Sequence, residues 1–207
     1  MAALQLSGSK KKKIDDGRKR QRLGTVDDDI VSWTFLKPLL SCLESALHAD
    51  AVEGGKWVRH DDSQRYHSLL PPLAKLLELR SPFMSHESES FYQQVVHGIE
   101  GETGSVIGCL TALASAAGNE QLWKPLNRDV LHACGNETRA EVRKGGVSCL
   151  LSLIKALGEE YMVLLPECLP VLSELLEDAD EHIGILAKEC VTLCESLLGE
   201  SLQDSLR

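Results

Sequence analysis

Aromatic residues are scarce in this chain: three Phe, three Trp and three Tyr, or 4% of 207 residues. Sheets draw on aromatic and β-branched side chains, whereas Leu and Ala, which carry most of the apolar content here, are good helix formers. No run of 18 apolar residues occurs. The most apolar stretch, 161–176, is interrupted by Pro166, Glu167, Pro170 and Glu174, which excludes a transmembrane helix there. The N-terminus lacks the apolar core of a secretory signal, so the chain is expected to stay inside the cell. It has no CxxC and no HExxH. Its seven cysteines are odd in number and are read as reduced, small core residues. Cys190 and Cys194 lie four apart, with His182 two turns back, which falls short of the four converging ligands of structural zinc.

Charge is unevenly spread. Residues 1–26 hold eight basic and two acidic residues, leaving 14 basic and 29 acidic ones for the remainder. The basic residues form two clusters, Lys10, Lys11, Lys12, Lys13 and then Arg18, Lys19, Arg20, Arg22. They suit a nuclear or nucleolar targeting signal that can also touch RNA phosphates. No aromatic residue interleaves them, so any such contact is blind to sequence. Residues 1–25 are polar and without apolar periodicity, and are expected to be a disordered basic tail.

From Val26 the pattern becomes helical. Val26, Ile30, Trp33, Leu36, Leu40, Leu43 and Leu47 step by three or four, one face of a helix. Gly54 and Gly55 break the pattern within 49–61. A second helix is expected over about 62–79, ended by Ser81-Pro82. The polar stretch 85–90 precedes a helix near 89–98, and another is expected over about 104–117. Glu100-Gly101-Glu102-Thr103-Gly104-Ser105 has glycines near a helix start but lacks the lysine and preceding strand of a phosphate loop. It is read as a turn.

The second half repeats. Leu157-Gly158-Glu159 and Leu198-Gly199-Glu200 are 41 residues apart, and the same shift places Pro125 on Pro166, Val130 on Val171, Leu131 on Leu172 and Cys149 on Cys190. Each unit offers a first helix with an early proline (about 121–134, then 161–176), an acidic turn, and a second helix with an apolar stripe (about 138–157, then 181–198). Glycine closes each unit, where a left-handed residue is needed. Helical repeats of about 40–47 residues are of HEAT or armadillo type, and such helix pairs stack into a solenoid. Lys37-Pro38-Leu39 and Pro71-Pro72-Leu73 look like first-helix prolines of more degenerate units. Asn136-Glu137-Thr138 reads as a turn with Thr138 near a helix N-cap. Trp123 is expected to pack on the preceding repeat.

Three segments go beyond a generic repeat: Gln121-Leu122-Trp123-Lys124-Pro125-Leu126-Asn127 with Val142-Arg143; Leu157-Gly158-Glu159-Glu160-Tyr161-Met162-Val163-Leu164-Leu165-Pro166-Glu167 with Leu172-Ser173-Glu174-Leu175-Leu176-Glu177-Asp178; and Leu198-Gly199-Glu200-Ser201-Leu202-Gln203. Together they resemble the C-terminal region of the large HEAT-repeat U-three small nucleolar RNA-associated protein ten (BP-twenty-eight) family, closely over about 119–206 and more loosely back to about residue 30. Gly145-Gly146 departs from that pattern, which usually has alanines there. A helix-interior glycine costs up to about 1 kcal/mol relative to alanine, so a loosened helix is expected.

The fold expected is therefore all-α: a HEAT-type α-solenoid with a disordered basic tail at 1–25, degenerate HEAT-like repeats over 26–118, and two regular repeats over 119–207 forming a C-terminal cap. The resemblance implies a nucleolar scaffold of the small-subunit processome that supports small-subunit pre-rRNA processing and, in some members, rRNA transcription. Its partners would be proteins of the early pre-rRNA-binding subcomplex, with the U-three small nucleolar ribonucleoprotein and pre-rRNA contacted directly or through them. A nuclear transport or trafficking adaptor is the alternative. No catalytic constellation is visible, so the chain is read as a binding protein and not an enzyme, with no cofactor, metal, membrane or small-molecule substrate.

Overall fold

The computed structural model describes residues 26–79, 91–99, 102–203 and 205, with the backbone alone for 26–34. The expected disordered tail, the Ser81-Pro82 stop and the polar stretch 85–90 lie outside the described residues. Among those described there are seven α-helices and no strand: α1 (Val26–Val52), α2 (His60–Leu77), α3 (Val106–Ala117), α4 (Glu120–Cys134), α5 (Ala140–Leu157), α6 (Leu165–Leu176) and α7 (Glu181–Leu198). A π-turn, Gln93–His97, lies between α2 and α3, and a 3-10 segment, Gly158–Leu164, precedes α6.

The helices lie in two rows. α2, α4 and α6 neighbour one another in one row, and α1, α3, α5 and α7 in the other. Each first-row helix is followed in the chain by its second-row partner, giving the pairs α2/α3, α4/α5 and α6/α7. This is the stacked helix-pair architecture of a HEAT-type solenoid. Leu70, Leu77, Leu110, Leu113, Leu126, Leu150, Leu153, Leu164 and Leu172 fill a continuous core between the rows. Sharp turns use glycine in the left-handed region: Gly118 (φ 50°) ends α3 and Gly199 (φ 73°) ends α7, conformations that cost a residue with a Cβ about 1 kcal/mol or more.

Several expectations need correction. Pro38 does not mark a first-row helix, because α1 packs along α3 and so belongs to the second row. The predicted helix 161–176 is split: residues up to Leu164 are 3-10, and Pro166 falls in the first turn of α6, where a missing N–H costs nothing. Pro125 instead sits inside α4, so the two prolines that align in sequence occupy different helical positions. Thr138 lies in a turn one residue before the N-cap of α5, near it as expected. Arg139 holds that position, and the Asn136 carboxamide oxygen accepts from the amides of Thr138 (3.2 Å) and Arg139 (2.9 Å). Cys42 is exposed, while the other six cysteines are buried.

Gly145 and Gly146 lie within an unbroken α5. Both are buried at helix crossings. A Cβ on Gly146 would lie 2.6 Å from the Cys134 amide nitrogen, and one on Gly145 would lie 2.5 Å from the Tyr92 hydroxyl. The missing side chains let α5 approach α4 and the π-turn closely.

Candidate functional site

The polar chemistry of the described residues is concentrated at the junctions between repeats. Two arginines one turn apart at the start of α5 join three successive turns. Arg139 donates to the carbonyls of Glu78 (2.9 Å) and Leu79 (2.8 Å) at the end of α2, and through Nε to Glu141 (2.7 Å). Arg143 forms a bidentate pair with Asp178 in the next turn, Nε to Oδ2 at 2.7 Å and Nη2 to Oδ1 at 2.9 Å. It also donates to the Asn136 carbonyl at 3.0 Å. Both side chains of the pair are mostly shielded, at 17% and 7% exposure, where a fork-to-carboxylate contact is stronger than on an open surface. The Arg143 hydrogen bonds hold the Asp178 carboxyl below the usual carboxylate range. For Glu141, burial pushes its carboxyl up, but hydrogen bonds from Arg139 and the backbone outweigh it and the net shift is downward.

A second junction is buried. Asn127 on α4 is fully covered; its carboxamide oxygen accepts from the Tyr161 hydroxyl, and its amide group lies 3.3 Å from Glu167. The Cys168 thiol reaches the same oxygen at 3.6 Å and the Leu164 carbonyl at 3.3 Å. Burial first, then neighbouring Cys168, raises the Tyr161 hydroxyl well above its ordinary range, so it stays a neutral donor. A buried amide left without partners costs about 1–3 kcal/mol, so this node fixes how the α6/α7 pair seats on α4.

A third junction explains the glycine-flanked turn before α3. Glu44 of α1 is 8% exposed, and its carboxylate accepts from the amides of Gly104 (2.7 Å) and Ser105 (3.2 Å). A helix N-terminus favours negative charge, and here the protein supplies it. The described part of that turn thus holds a carboxylate of the chain itself, and a Cβ on Gly108 would lie 2.5 Å from it. Ser105 caps α3 by accepting from the Gly108 amide at 2.9 Å.

The predicted site residues Lys10, Lys11, Lys12, Lys13, Arg18, Lys19, Arg20 and Arg22 lie outside the described residues. Cys190 and Cys194 share a face of α7, but no cluster of three or more metal-ligating side chains occurs among the described residues. Burial pushes the Cys109 and Cys149 thiols up to about 12, the opposite of what a nucleophile needs. Trp123 is 5% exposed and donates to the Ala114 carbonyl at 2.8 Å, so it packs on the preceding repeat as expected. An open groove of about 550 Å³ lies between α2 and α4, lined by Pro71, Pro72, Lys75, Glu78, Asp129 and His132. No described helix is long and apolar enough to cross a membrane.

Periodicity missed all three junctions. A faint signal was present for the first: two arginines four apart after an acidic turn, with aspartate one repeat on. The buried Asn127 and Glu44 carry no local signal, because their partners lie 34 and 60 residues away.

No protein-family model matches the chain. Comparison with curated proteins does find relatives. An uncharacterized protein of Arabidopsis thaliana is 30% identical over 194 residues, covering 91% of this chain. Human HEAT repeat-containing protein 1 is 34% identical over 140 residues, covering 68%. The U3 small nucleolar RNA-associated protein 10 of Coccidioides immitis is 30% identical over 197 residues, covering 83%. The chain spans 8%, 6% and 11% of the lengths of these three relatives. With a stacked helix-pair fold, and with Asn127, Arg143, Tyr161, Glu167 and Asp178 of the segments singled out in the sequence placed in two of its junctions, the chain belongs to the family of HEAT repeat-containing protein 1 and U3 small nucleolar RNA-associated protein 10.

Proposed function

We propose that the chain is a scaffold segment of small-subunit ribosome biogenesis, docking proteins of the small-subunit processome in the nucleolus. The observation that carries this reading is the relationship to proteins named for the U3 small nucleolar RNA, on a helical-repeat surface. The three junctions suit that role: arginine ladder, buried amide and capped helix start each fix one repeat against the next. A rigid solenoid of this kind holds its outer surface in one shape, which lowers the ordering cost of docking a partner. The basic residues Lys10 to Lys13 and Arg18 to Arg22 serve as the targeting signal, and any contact they make with RNA is through phosphates. Function as a binding segment and not an enzyme is part of the same proposal.

A tagged chain is to be recovered from nuclear extract and probed for processome proteins by mass spectrometry and for U3 small nucleolar RNA by hybridisation. A second version has the eight basic residues of 1–26 changed to alanine. Enrichment of processome proteins and U3 RNA is expected, with nuclear accumulation lost in the alanine version. Enrichment of transport factors or cytoplasmic adaptors alone would overturn the reading.

A further inference from the structure

The end of α6 runs against helix electrostatics. The last turn of a helix carries the negative end of the backbone dipole and favours a cation; α2 and α5 place Lys75 and Lys155 there. The last turn of α6 has no basic residue and holds Glu174, with Glu177 at its C-cap. Both are exposed, and like charges so close on one helix repel. A groove of about 350 Å³ opens beside them, lined by Val171, Glu174 and Leu175 on one side and by Gly135 and Glu137 on the other. Arg143 and Asp178 also line it, but they are engaged with each other. Glu137, Glu174 and Glu177 make no ion pair among the described residues, whereas Glu120 is paired with Lys124 at 2.6 Å and Glu189 with Lys155 at 2.8 Å. Between Lys155 and Lys188 the chain has eight acidic residues and neither Lys nor Arg. An apolar strip between unneutralised carboxylates, at a negative helix end, fits a cationic occupant.

We infer that the occupant is the chain's own basic segment, Lys10 to Arg22. It is the densest run of positive charge in the sequence, with eight basic residues against two acidic ones. Lysine and arginine have apolar stems and cationic heads, which match Val171 and Leu175 and then the carboxylates on either bank. The length suffices. Lys13 precedes Val26, the first residue of α1, by 13 residues, and such a stretch spans up to about 45 Å. α1 touches α3, α3 touches α4 and α4 touches α6; three successive neighbours with axes about 8–10 Å apart lie within roughly 30 Å. Tethering supplies a local concentration of roughly millimolar order, so a weak ionic contact forms within one chain, an advantage that a separate basic protein lacks. Docking hides the segment: while it lies in the groove it presents its charges neither to RNA phosphates nor to an import factor. The groove therefore sets how much of the targeting signal is available. That consequence rests on the targeting role proposed above; the docking itself does not.

The test uses the full chain at about 1 µM, far below the tethered concentration. Carbodiimide cross-linking read by mass spectrometry should join lysines of the segment to Glu137, Glu174 or Glu177, within single chains and at a yield unchanged by dilution. Trypsin should cut the segment slowly in the parent. In Glu174→Gln/Glu177→Gln it should cut at least about threefold faster, since only the undocked fraction is cleaved. Glu137→Gln should act in the same direction from the other bank. Glu159→Gln/Glu160→Gln removes the same charge from exposed positions outside the groove and should behave as the parent. Circular dichroism should be unchanged in all of them; should the Glu174/Glu177 variant lose it, Glu137→Gln decides alone. In about 0.5 M salt, where exposed charges are screened within a few ångströms, parent and variants should be cut alike. Cross-links scattered over the other acidic residues, links between copies only, or equal cleavage of parent and groove variants at low salt would each overturn the docking. With the cross-links seen, nuclear accumulation that survives alanine at the eight basic residues would refute the targeting role alone.

Discussion

Helix propensity and packing make opposite forecasts for one pair of glycines, and the geometry decides between them. In a helix interior, alanine is favoured over glycine by up to about 1 kcal/mol. At Gly184 in α7 an added Cβ would meet the Leu176 carbonyl at 3.5 Å and the Leu175 carbonyl at 3.8 Å, ordinary contacts. Gly184→Ala should therefore realise the gain, about 0.5–1 kcal/mol. At Gly146 in α5 the Cβ would lie 2.6 Å from the Cys134 amide nitrogen, 2.9 Å from its sulfur and 3.0 Å from the Ala133 carbonyl carbon. Backbone cannot swing aside as a flexible side chain can, so α4 and α5 must separate. Overpacking of this kind costs about 1–3 kcal/mol, which exceeds the propensity gain and leaves a net loss of about 1–2 kcal/mol. For a chain of this size each kcal/mol moves the midpoint by roughly 2–4 °C. Thermal unfolding followed at 222 nm should thus rank Gly184→Ala above the parent and Gly146→Ala below it. If Gly146→Ala melts at or above the parent, the close approach of α5 to α4 is wrong, and the glycine pair is a weak spot and not a packing device.

His97 should make the protein acid-sensitive. Burial, and then neighbouring Lys144, lower its pKa from 6.5 to about 4, and its Nε2 has no hydrogen-bond partner among the described residues. The unfolded chain takes up the proton near 6.5 while the folded chain resists to about 4. Stability is therefore full above that window and falls as the pH drops through it, by up to about 3 kcal/mol. Urea titrations from pH 7 to 4 should show this slope, and His97→Gln should flatten it; an unchanged slope would refute the assignment. Arg143→Lys should lose the fork to Asp178 and the contact to the Asn136 carbonyl, destabilising by about 1–3 kcal/mol at neutral pH. Because Asp178 is held below the usual carboxylate range, its contribution is present above that range and lost as pH falls through its lowered value. The cost of Arg143→Lys should accordingly shrink in strong acid; a cost that did not vary with pH would mean the pair is not ionic.

The helices were legible because a helix advertises itself locally. Leu157, Leu153 and Cys149 repeat at intervals that belong to one turn of backbone, and the glycines that close the repeats follow from the φ that the turn demands. The split of the predicted helix 161–176 was not legible in the same way, since a 3-10 segment and an α-helix place apolar residues at nearly the same spacing. The two buried junctions were invisible for a different reason. Asn127 reads as an ordinary polar residue on a helix; only the return of the chain with Tyr161 and Cys168 turns it inward. Glu44 reads as a surface carboxylate until the amides of Gly104 and Ser105 arrive over it. Such pairings are set by which helix stacks on which, information that no short window contains.

α1 shows why the same limit applies to surfaces. Its inward residues, Leu36, Leu40, Leu43 and Leu47, form a regular stripe, and one stripe suffices to identify a helix. Phe35, Leu39, Cys42, Ala46 and Ala49 form an exposed stripe with the same period, about 100° round the helix from the first. In sequence the two interleave into one apolar run, so Cys42 was placed in the core with the other cysteines. The structure separates them, because α3 is available to cover the first stripe and no described element covers the second. The contrast with α7, whose outward face is polar at the other end of the same row, shows that an apolar outer face is not a general property of these helices.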